Sequence, residues 1–533
     1  MRWRRRCSLL LVALLLSLHG AAAEPLAGLG AWRSAPPAER WSSDPGDGVY
    51  YEVFVRSFAD ASGDGIGDLR GLTARLDHIA SLGARGIWLM PIHPSPTYHG
   101  YDVTDYRAIN PDYGTLADFL VFLDAAHARG IRVVLDLVVN HTSSEHPWFQ
   151  RALAGDPVYR DYYVWSDERL DWRGTLGGSA WHAAGDGSYY LGLFEGGMPD
   201  LNHRNPAVTA AMLDVAAFWL DLGVDGFRVD AIKHVVESAD GLITNAPENY
   251  DWVRGFNAAL RERHPGAFIV GETWTATPAI AAYHHEAGLD MSFNYPLWRE
   301  LIAAVQSRSA ISLRSQLQLD EDAYPPEARR ATFIANHDQL RPATLLSPLR
   351  RDTARMRLAA GLLLTLPGTP FLYYGEEIGL PNGPSERDVD KRTPMRWSAA
   401  DGAGFSRSTP WHAFSTTDPA ISVAEQRSDP DSLLHWYRDL IALRSSTPAL
   451  AHGSLEVVPG LAGAILAYWR GDGEARVLVV ANLGAGAATL EAEALGLAAG
   501  YVDLLDGSFT LGAEGAHVVV AGTSLRVVRP APR

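Results

Sequence analysis

Three carboxylates close three short motifs that each follow an apolar run. Asp230 ends GFRVD, Glu272 lies in VGETW, and Asp338 ends IANHD. Cleaving an acetal needs one acid to protonate the leaving oxygen and one to attack or stabilise the electron-poor anomeric carbon, and a third can stabilise positive charge. A single Asp or Glu is most often a solvated or ion-paired surface group. That explanation does not cover three acids at the ends of apolar runs beside Arg228, Asn336 and His337, and their convergence points to glycoside chemistry.

Acids so far apart in sequence meet only if the preceding runs are buried strands that deliver them to one rim of a parallel barrel. Eight such segments recur: GVYYEVFVRSF near 48–58, GARGIWLMPI to 92, IRVVLDLVVN to 140, GVDGFRVD to 230, AFIVGETW to 274, MSFNYPL to 297, ATFIANHD to 338 and TPFLYYGEE to 377. Their alternation with helical patterns predicts an α/β chain folded as a (β/α)8 TIM barrel over 24–140 and 205–451. Leu69, Leu72, Leu76 and Ile79 share one helical face, as do Leu116, Phe119, Leu120 and Leu123, so both stretches read as outer-ring helices. A further helix opens with Asn205 as its cap and Pro206 in its first turn, and is expected to bury Val208, Met212, Val215, Phe218, Trp219 and Leu222. Residues 141–204 are too many for a plain loop and predict a small inserted domain after the third strand. From 452 to 533, short runs such as ILAYWRG, ARVLVVANLG and SLRVVRP between glycine-containing turns predict a C-terminal antiparallel β-sandwich.

The 533-residue chain is 47% hydrophobic and 20% charged, in keeping with a soluble multi-domain protein. Residues 1–23 combine a basic start, an apolar stretch from Cys7 to about Leu18 and the small residues Ala21, Ala22 and Ala23, which predicts a cleaved signal peptide and a secreted protein, periplasmic or extracellular. The apolar stretch falls short of the ~20 residues that span a bilayer, so no membrane anchor is expected after cleavage. Cys7 is the only cysteine, which leaves the mature chain to core packing rather than disulfides. Losing Arg2, Arg4, Arg5 and Arg6 takes the formal charge from -16 to -20. That sign argues against nucleic acid and anionic membranes and suits a neutral sugar or calcium. A monomer is expected.

Seven blocks in order, GDGIGDLRG, HGYDVTDY, DLVVNHTS, MPDLN, GFRVDAIKH, GETW and NHD, occur between Gly48 and about Arg438. This stretch resembles the alpha-amylase family of glycoside hydrolases. The resemblance implies retention of configuration, with Asp230 as nucleophile, Glu272 as general acid/base and Asp338 as the acid that stabilises the transition state. Arg228, on the same strand face as Asp230, is expected to keep it ionised. The resemblance also places His141 and His337 as donors to the sugar in subsite −1. Tyr101 and Asp102 match the pair that stacks on and hydrogen-bonds that sugar, and Arg392 is a candidate partner for Asp102. Lys233, one of two lysines in the chain, and His234 lie where the family contacts the leaving-group sugar.

Calcium is the implied ion. Asp60, Ser62, Asp64, Ile66 through its carbonyl, and Asp68 present alternate oxygen donors around a glycine-rich turn, resembling a loop site of part of the family. The spacing is also EF-hand-like, but the remote glutamate is missing, and a solvated acidic turn is the alternative. A second site, by resemblance alone, joins Asn140, Asp200 and the carbonyl of His234. No Cys/His cluster suggests zinc.

Fold does not separate the family's activities. MPDLN resembles a group intermediate between oligo-1,6-glucosidases (QPDLN) and cyclodextrin hydrolases (MPKLN), and Ala231, the Lys233-His234 pair and Trp274 look amylase-like. The expected activity is endo-cleavage of alpha-1,4-glucosidic bonds in starch and maltooligosaccharides. An exo-acting alpha-glucosidase or oligo-1,6-glucosidase is the alternative, and a non-catalytic sugar-binding member a remote one. Trp165, Trp172, Trp181, Tyr189 and Tyr190 are expected to line the cleft or pack the insert. Tyr468, Trp469 and Tyr501 are the aromatics of the C-terminal stretch that could meet sugar, although structural capping is the expected role.

Overall fold

The computed structural model describes residues 44–238, 240–347, 353–497, 501–505, 509–510 and 517–530. The expected signal peptide lies outside them. Eight parallel strands close a barrel: β1 (Tyr50–Val53), β2 (Gly86–Leu89), β3 (Arg132–Val138), β7 (Gly226–Asp230), β8 (Phe268–Gly271), β9 (Met291–Phe293), β10 (Arg329–Thr332) and β11 (Thr369–Tyr373), each hydrogen-bonded to the next and β11 to β1. All eight expected segments are present.

Alternate residues of these strands fill the interior in layers. Tyr50, Trp88, Phe268, Phe293 and Phe371 belong to one buried cluster that plugs the barrel. Tyr50 stacks on Phe371 at 4.8 Å, and its ring needs Gly86, where a β-carbon would lie 2.2 Å from it. Above this plug the inward positions turn polar. Glu52 is two residues beyond Tyr50, and Asp136 of β3 is in register with Arg228 of β7. The apolar layer excludes water from below, so the charges above it interact strongly.

The outer helices pack against the other strand face. The stretch with Leu69, Leu72, Leu76 and Ile79 forms two short helices, Leu69–Ala74 and Leu76–Leu82, that meet at Arg75, and all four side chains are buried. In the helix Pro206–Asp221 the Asn205 side chain accepts from the Ala207 N–H. Val208, Met212, Val215 and Trp219 are buried there, whereas Phe218 and Leu222 are only half-buried at the edge of the apolar stripe.

Between β3 and β7 the insert forms a three-stranded antiparallel sheet of β4 (Trp165–Ser166), β5 (Trp181–Ala183) and β6 (Tyr189–Leu191). A bridge between His141 and Asp200 ties its return to the barrel rim. Trp181 is buried in the insert's own apolar cluster, with Trp172 and Tyr189 packed against it. Trp165 and Tyr190 both pack edge-on or parallel to Phe149. These aromatics pack the insert.

The C-terminal sandwich has one sheet in the order β12-β13-β14-β19-β16-β17 and a second of β15 and β18. Its strands are β12 (Leu455–Val457), β13 (Ile465–Arg470), β14 (Val477–Asn482), β15 (Ala488–Glu491), β16 (Tyr501–Asp503), β17 (Phe509–Thr510), β18 (His517–Val520) and β19 (Ser524–Pro530). Tyr468, Trp469 and Tyr501 are all buried. The Tyr468 hydroxyl lies 2.5 Å from Thr365 Oγ1 on a barrel helix, so these aromatics are spent on packing and domain docking. Among the described residues no helix is long and apolar enough to cross a membrane.

Candidate active site

The three acids meet at the carboxyl end of the barrel. Asp230 is the last residue of β7, Glu272 follows β8 directly, and Asp338 stands six residues past β10. Ala231 adopts a left-handed conformation (φ 48°), which turns the chain sharply after Asp230. Its N–H donates to Glu272 Oε2 at 2.8 Å.

Arg228 organises this end. Its Nη1 donates to Asp136 Oδ1 at 2.8 Å and to Asp230 Oδ1 at 2.6 Å, while Nη2 is 3.0 Å from Glu272 Oε2. The guanidinium is 1% exposed and lies over the Trp88 ring. One cation thus serves three largely buried carboxyl groups. Burial pushes the Asp230 carboxyl well above the usual range. Arg228 opposes this, and the charges of Glu272 and Asp136 add to it. Burial likewise raises Asp136 against the pull of Arg228. Arg228 favours the ionised form of Asp230, as expected, but it is shared with Asp136 and Glu272. With three acids on one cation, the set favours retaining a proton, which a reaction starting from a protonated acid requires.

Asp338 is in a contrasting environment. His337 Nε2 lies 3.1 Å from Asp338 Oδ2, and Arg392 Nη2 donates to Asp338 Oδ1 at 2.9 Å. Burial opposes ionisation, but the two cations prevail and hold this carboxyl far below its usual range. His337 is in turn lifted to about 9, because Asp338 and Glu52, whose Oε1 is 2.6 Å from Nδ1, outweigh its burial. Glu52, His337, Asp338 and Arg392 form a buried relay of alternating charge.

Tyr101 joins the two groups of acids. Its hydroxyl donates to Asp136 Oδ2 at 3.1 Å and lies 2.7 Å from His337 Nε2, and its ring stacks on His337 at 5.5 Å. His141 is buried and neutral, since burial and the nearby His99 depress it to about 3. Its Nε2 has no hydrogen-bond partner among the described residues, so it can donate to an incoming hydroxyl. Asp102 accepts from Ser95 Oγ at 2.5 Å and from the Thr97 hydroxyl. Arg392 is committed to Asp338 and the His337 carbonyl, which corrects its pairing with Asp102. Lys233 reaches the Trp274 carbonyl at 2.5 Å. His234 Nδ1 lies 2.6 Å from the Ile243 carbonyl, where burial, with Lys233 adding to it, lowers its pKa to about 4.

The sequence reading missed Glu52, Asp136 and Tyr295, whose hydroxyl is 3.4 Å from Glu272 Oε1. A signal existed for the two acids. Each is the lone charge inside an otherwise apolar strand stretch, YYEV and VVLDLV, and a charge at such a position must have a buried partner.

The proposed calcium ligands are distributed differently. In the Asp60–Asp68 loop the acids satisfy the loop itself. Asp60 accepts from the Gly63 and Gly65 N–H groups at 2.6 and 2.8 Å and from Ser406 Oγ, Asp64 from Ile66 N–H, and Asp68 from the Ser62 and Gly71 N–H groups. Among the described residues no group of three or more His, Cys, Asp or Glu could hold a metal. Asp200 is 3% exposed and accepts from Leu193 N–H at 3.1 Å. It has no ion pair among the described residues, and burial drives its pKa well up. Beside Asn140, a buried carboxyl without a cation fits an all-oxygen calcium site by its chemistry.

The acids and the guanidinium they share stand together on one rim of the barrel. A model of the alpha amylase catalytic domain matches residues 52–453. The chain belongs to the alpha-amylase family. It is 38% identical over 441 residues to alpha-amylase 3 of Dictyoglomus thermophilum, covering 82% of this chain and 84% of that one. It is 36% identical over 510 residues to the trehalose synthase/amylase TreS of Mycolicibacterium smegmatis, covering 85% of each. The crystal structure of an alpha-amylase from H. orenii superimposes with a TM-score of 0.82 at 36% identity, over 92% of this chain and all of that one. The family comprises glucan-active glycoside hydrolases and transferases, and the names of these relatives differ in reaction.

Proposed function

We propose that this chain is a secreted, retaining alpha-glucan hydrolase that cleaves alpha-1,4-glucosidic bonds in starch and maltooligosaccharides. The observation that carries the reading is Arg228, whose two terminal nitrogens hold Asp230 and Glu272. Two carboxyls on one guanidinium suit the separation of about 5–5.5 Å used in double displacement rather than the ~6.5–9.5 Å left for direct attack by water.

Asp230 attacks the anomeric carbon while Glu272 passes its proton to the glycosidic oxygen, so the C–O bond breaks and the shortened glucan leaves as an alcohol. A glycosyl ester on Asp230 remains. Water then attacks that carbon, Glu272 takes its proton, and Asp230 departs as carboxylate. Asp338, kept ionised by His337 and Arg392, faces the positive charge that develops at the ring between these states. Tyr101 offers its ring and His141 and His337 offer N–H donors to the sugar being cleaved. Asp102 accepts from that sugar's hydroxyls. Lys233 and His234 border the leaving group. Asn140, Asp200 and the His234 carbonyl would hold calcium as a structural ion, in preference to the Asp60–Asp68 loop whose acids already accept from the loop's own N–H groups, and no chemical step passes through it.

The test is a product profile over time on soluble starch, maltotriose, isomaltose and maltose, with calcium and with a chelator. Early mixed maltooligosaccharides from starch with isomaltose untouched support the proposal. Glucose alone from the short sugars, with starch barely attacked, moves the chain to the alpha-glucosidases. The likeness to a trehalose synthase/amylase gives a second reading, and conversion of maltose to trehalose without net hydrolysis would establish it.

A further inference from the structure

Glu52 is the charged residue of β1 and stands in the polar layer above the aromatic plug, in register with Trp88 of β2 and Tyr373 of β11. At 1% exposure it is closed off from the cleft. Its Oε1 accepts from the His337 backbone N–H at 3.4 Å and lies 2.6 Å from His337 Nδ1. The other ring nitrogen, Nε2, faces the Tyr101 hydroxyl at 2.7 Å and Asp338 Oδ2 at 3.1 Å. Tyr101 stacks on the imidazole and Trp88 meets it edge-on at 5.6 Å, so packing fixes the ring. Both nitrogens are therefore aimed at acceptors, since the Tyr101 hydroxyl gives its own proton to Asp136. An imidazole carries a proton on both nitrogens only as the cation.

We propose that Glu52 is a positioning residue for the hydrolysis, which acts through His337 by holding its Nδ1 proton, so that Nε2 presents an N–H to the sugar and the ring a positive charge to Asp338. The inference rests on the reading above, in which His337 meets the sugar and Asp338 works ionised. The contact at Nδ1 decides which proton leaves first. With an anionic acceptor there, a ring that loses its charge keeps the Nδ1 proton and gives up the one at Nε2. That would set a lone pair opposite Asp338 and remove the donor to the sugar. Burial depresses His337, but Asp338 and then Glu52 lift it to about 9, so the cation persists at neutral pH. Around the pair, burial raises Glu52 while His337 and Arg228 oppose it and Asp338 adds to it. Tyr373 on β11 feels Glu52, Asp136 on β3 feels His337, and Arg392 holds the other oxygen of Asp338.

The test follows fluoride release from alpha-glucosyl fluoride, whose leaving group needs little protonation, in Glu272→Gln, where the acid/base no longer titrates. With Glu52 intact, kcat/KM stays level through neutral pH and falls near 9. Adding Glu52→Gln moves the fall at least about one pH unit lower, with a loss several-fold smaller below the fall than above it. Adding His337→Gln instead abolishes the fall. A fall left at the same pH by Glu52→Gln, or an equal loss at every pH, would show that Glu52 only packs the barrel and overturns the proposal. Should circular dichroism show that Glu52→Gln does not fold, the other two profiles decide. A fall centred near 6.5, where a histidine without such partners titrates, or one that survives His337→Gln, overturns the proposal. No fluoride release by the unaltered protein would instead reject the hydrolase reading on which it rests.

Discussion

Replacing His337 with Gln removes the cation between Glu52 and Asp338 while keeping a side chain able to donate a hydrogen bond. In the folded protein the imidazole is lifted from 6.5 to about 9, since Asp338 and Glu52 outweigh burial. With the side chain 1% exposed, solvent screening does not dilute that interaction. The rise corresponds to about 3 kcal/mol of stability. The depression of Asp338 is the same contact seen from the other partner and is not added again. Because the folded value lies above the unfolded one, the contribution is complete below 6.5 and is lost as pH rises through about 9. Urea unfolding followed by tryptophan fluorescence, run below 6.5 and above 9 on wild type and His337→Gln, should therefore show a difference that shrinks by about 3 kcal/mol between the two conditions. A difference that does not change with pH would refute the ion-pair argument and leave only lost packing.

Asp230→Asn removes the proposed nucleophile but also a buried acid whose ionisation burial already disfavours, so hydrolysis should fall on the order of 10⁴-fold while circular dichroism and the urea midpoint stay close to wild type. Retained turnover would reject the assignment. Arg392→Met takes away a cation 2.9 Å from Asp338, which lets that carboxyl bind a proton at higher pH. The acid limb of its kcat/KM profile should move upward, and an unmoved limb would show that Asp338 is not needed ionised.

Much of the barrel was legible because its cause is local. Strand residues packed on both faces must be apolar, so the eight segments stood out as runs, and Asn205-Pro206 marked a helix start by a cap bond that spans two residues. The positions of Asp230, Glu272 and Asp338 were legible for the same reason, since each closes such a run. What failed depended on partners far away in sequence. Arg392 could have met any rim acid. It meets Asp338, and Asp102 is satisfied instead by the nearby hydroxyls of Ser95 and Thr97. Tyr468, Trp469 and Tyr501 could have been sugar contacts or core, and the sandwich buries all three.

The chain's sequence by itself determined a parallel barrel with an insert and a β-sandwich and named three acids on one rim, because strand burial and periodicity are written in neighbouring residues. Only the tertiary structure decided which charges surround those acids. Asp230 and Asp338 have the same side chain at the same rim of the barrel. Asp230 shares Arg228 with Asp136 and Glu272, and burial raises its carboxyl against that cation, whereas Asp338 has Arg392 and the His337 that also serves Glu52 beside it and is held ionised. A carboxyl group's proton affinity is set by the charges and the water within a few ångströms of it, and folding alone chooses those neighbours.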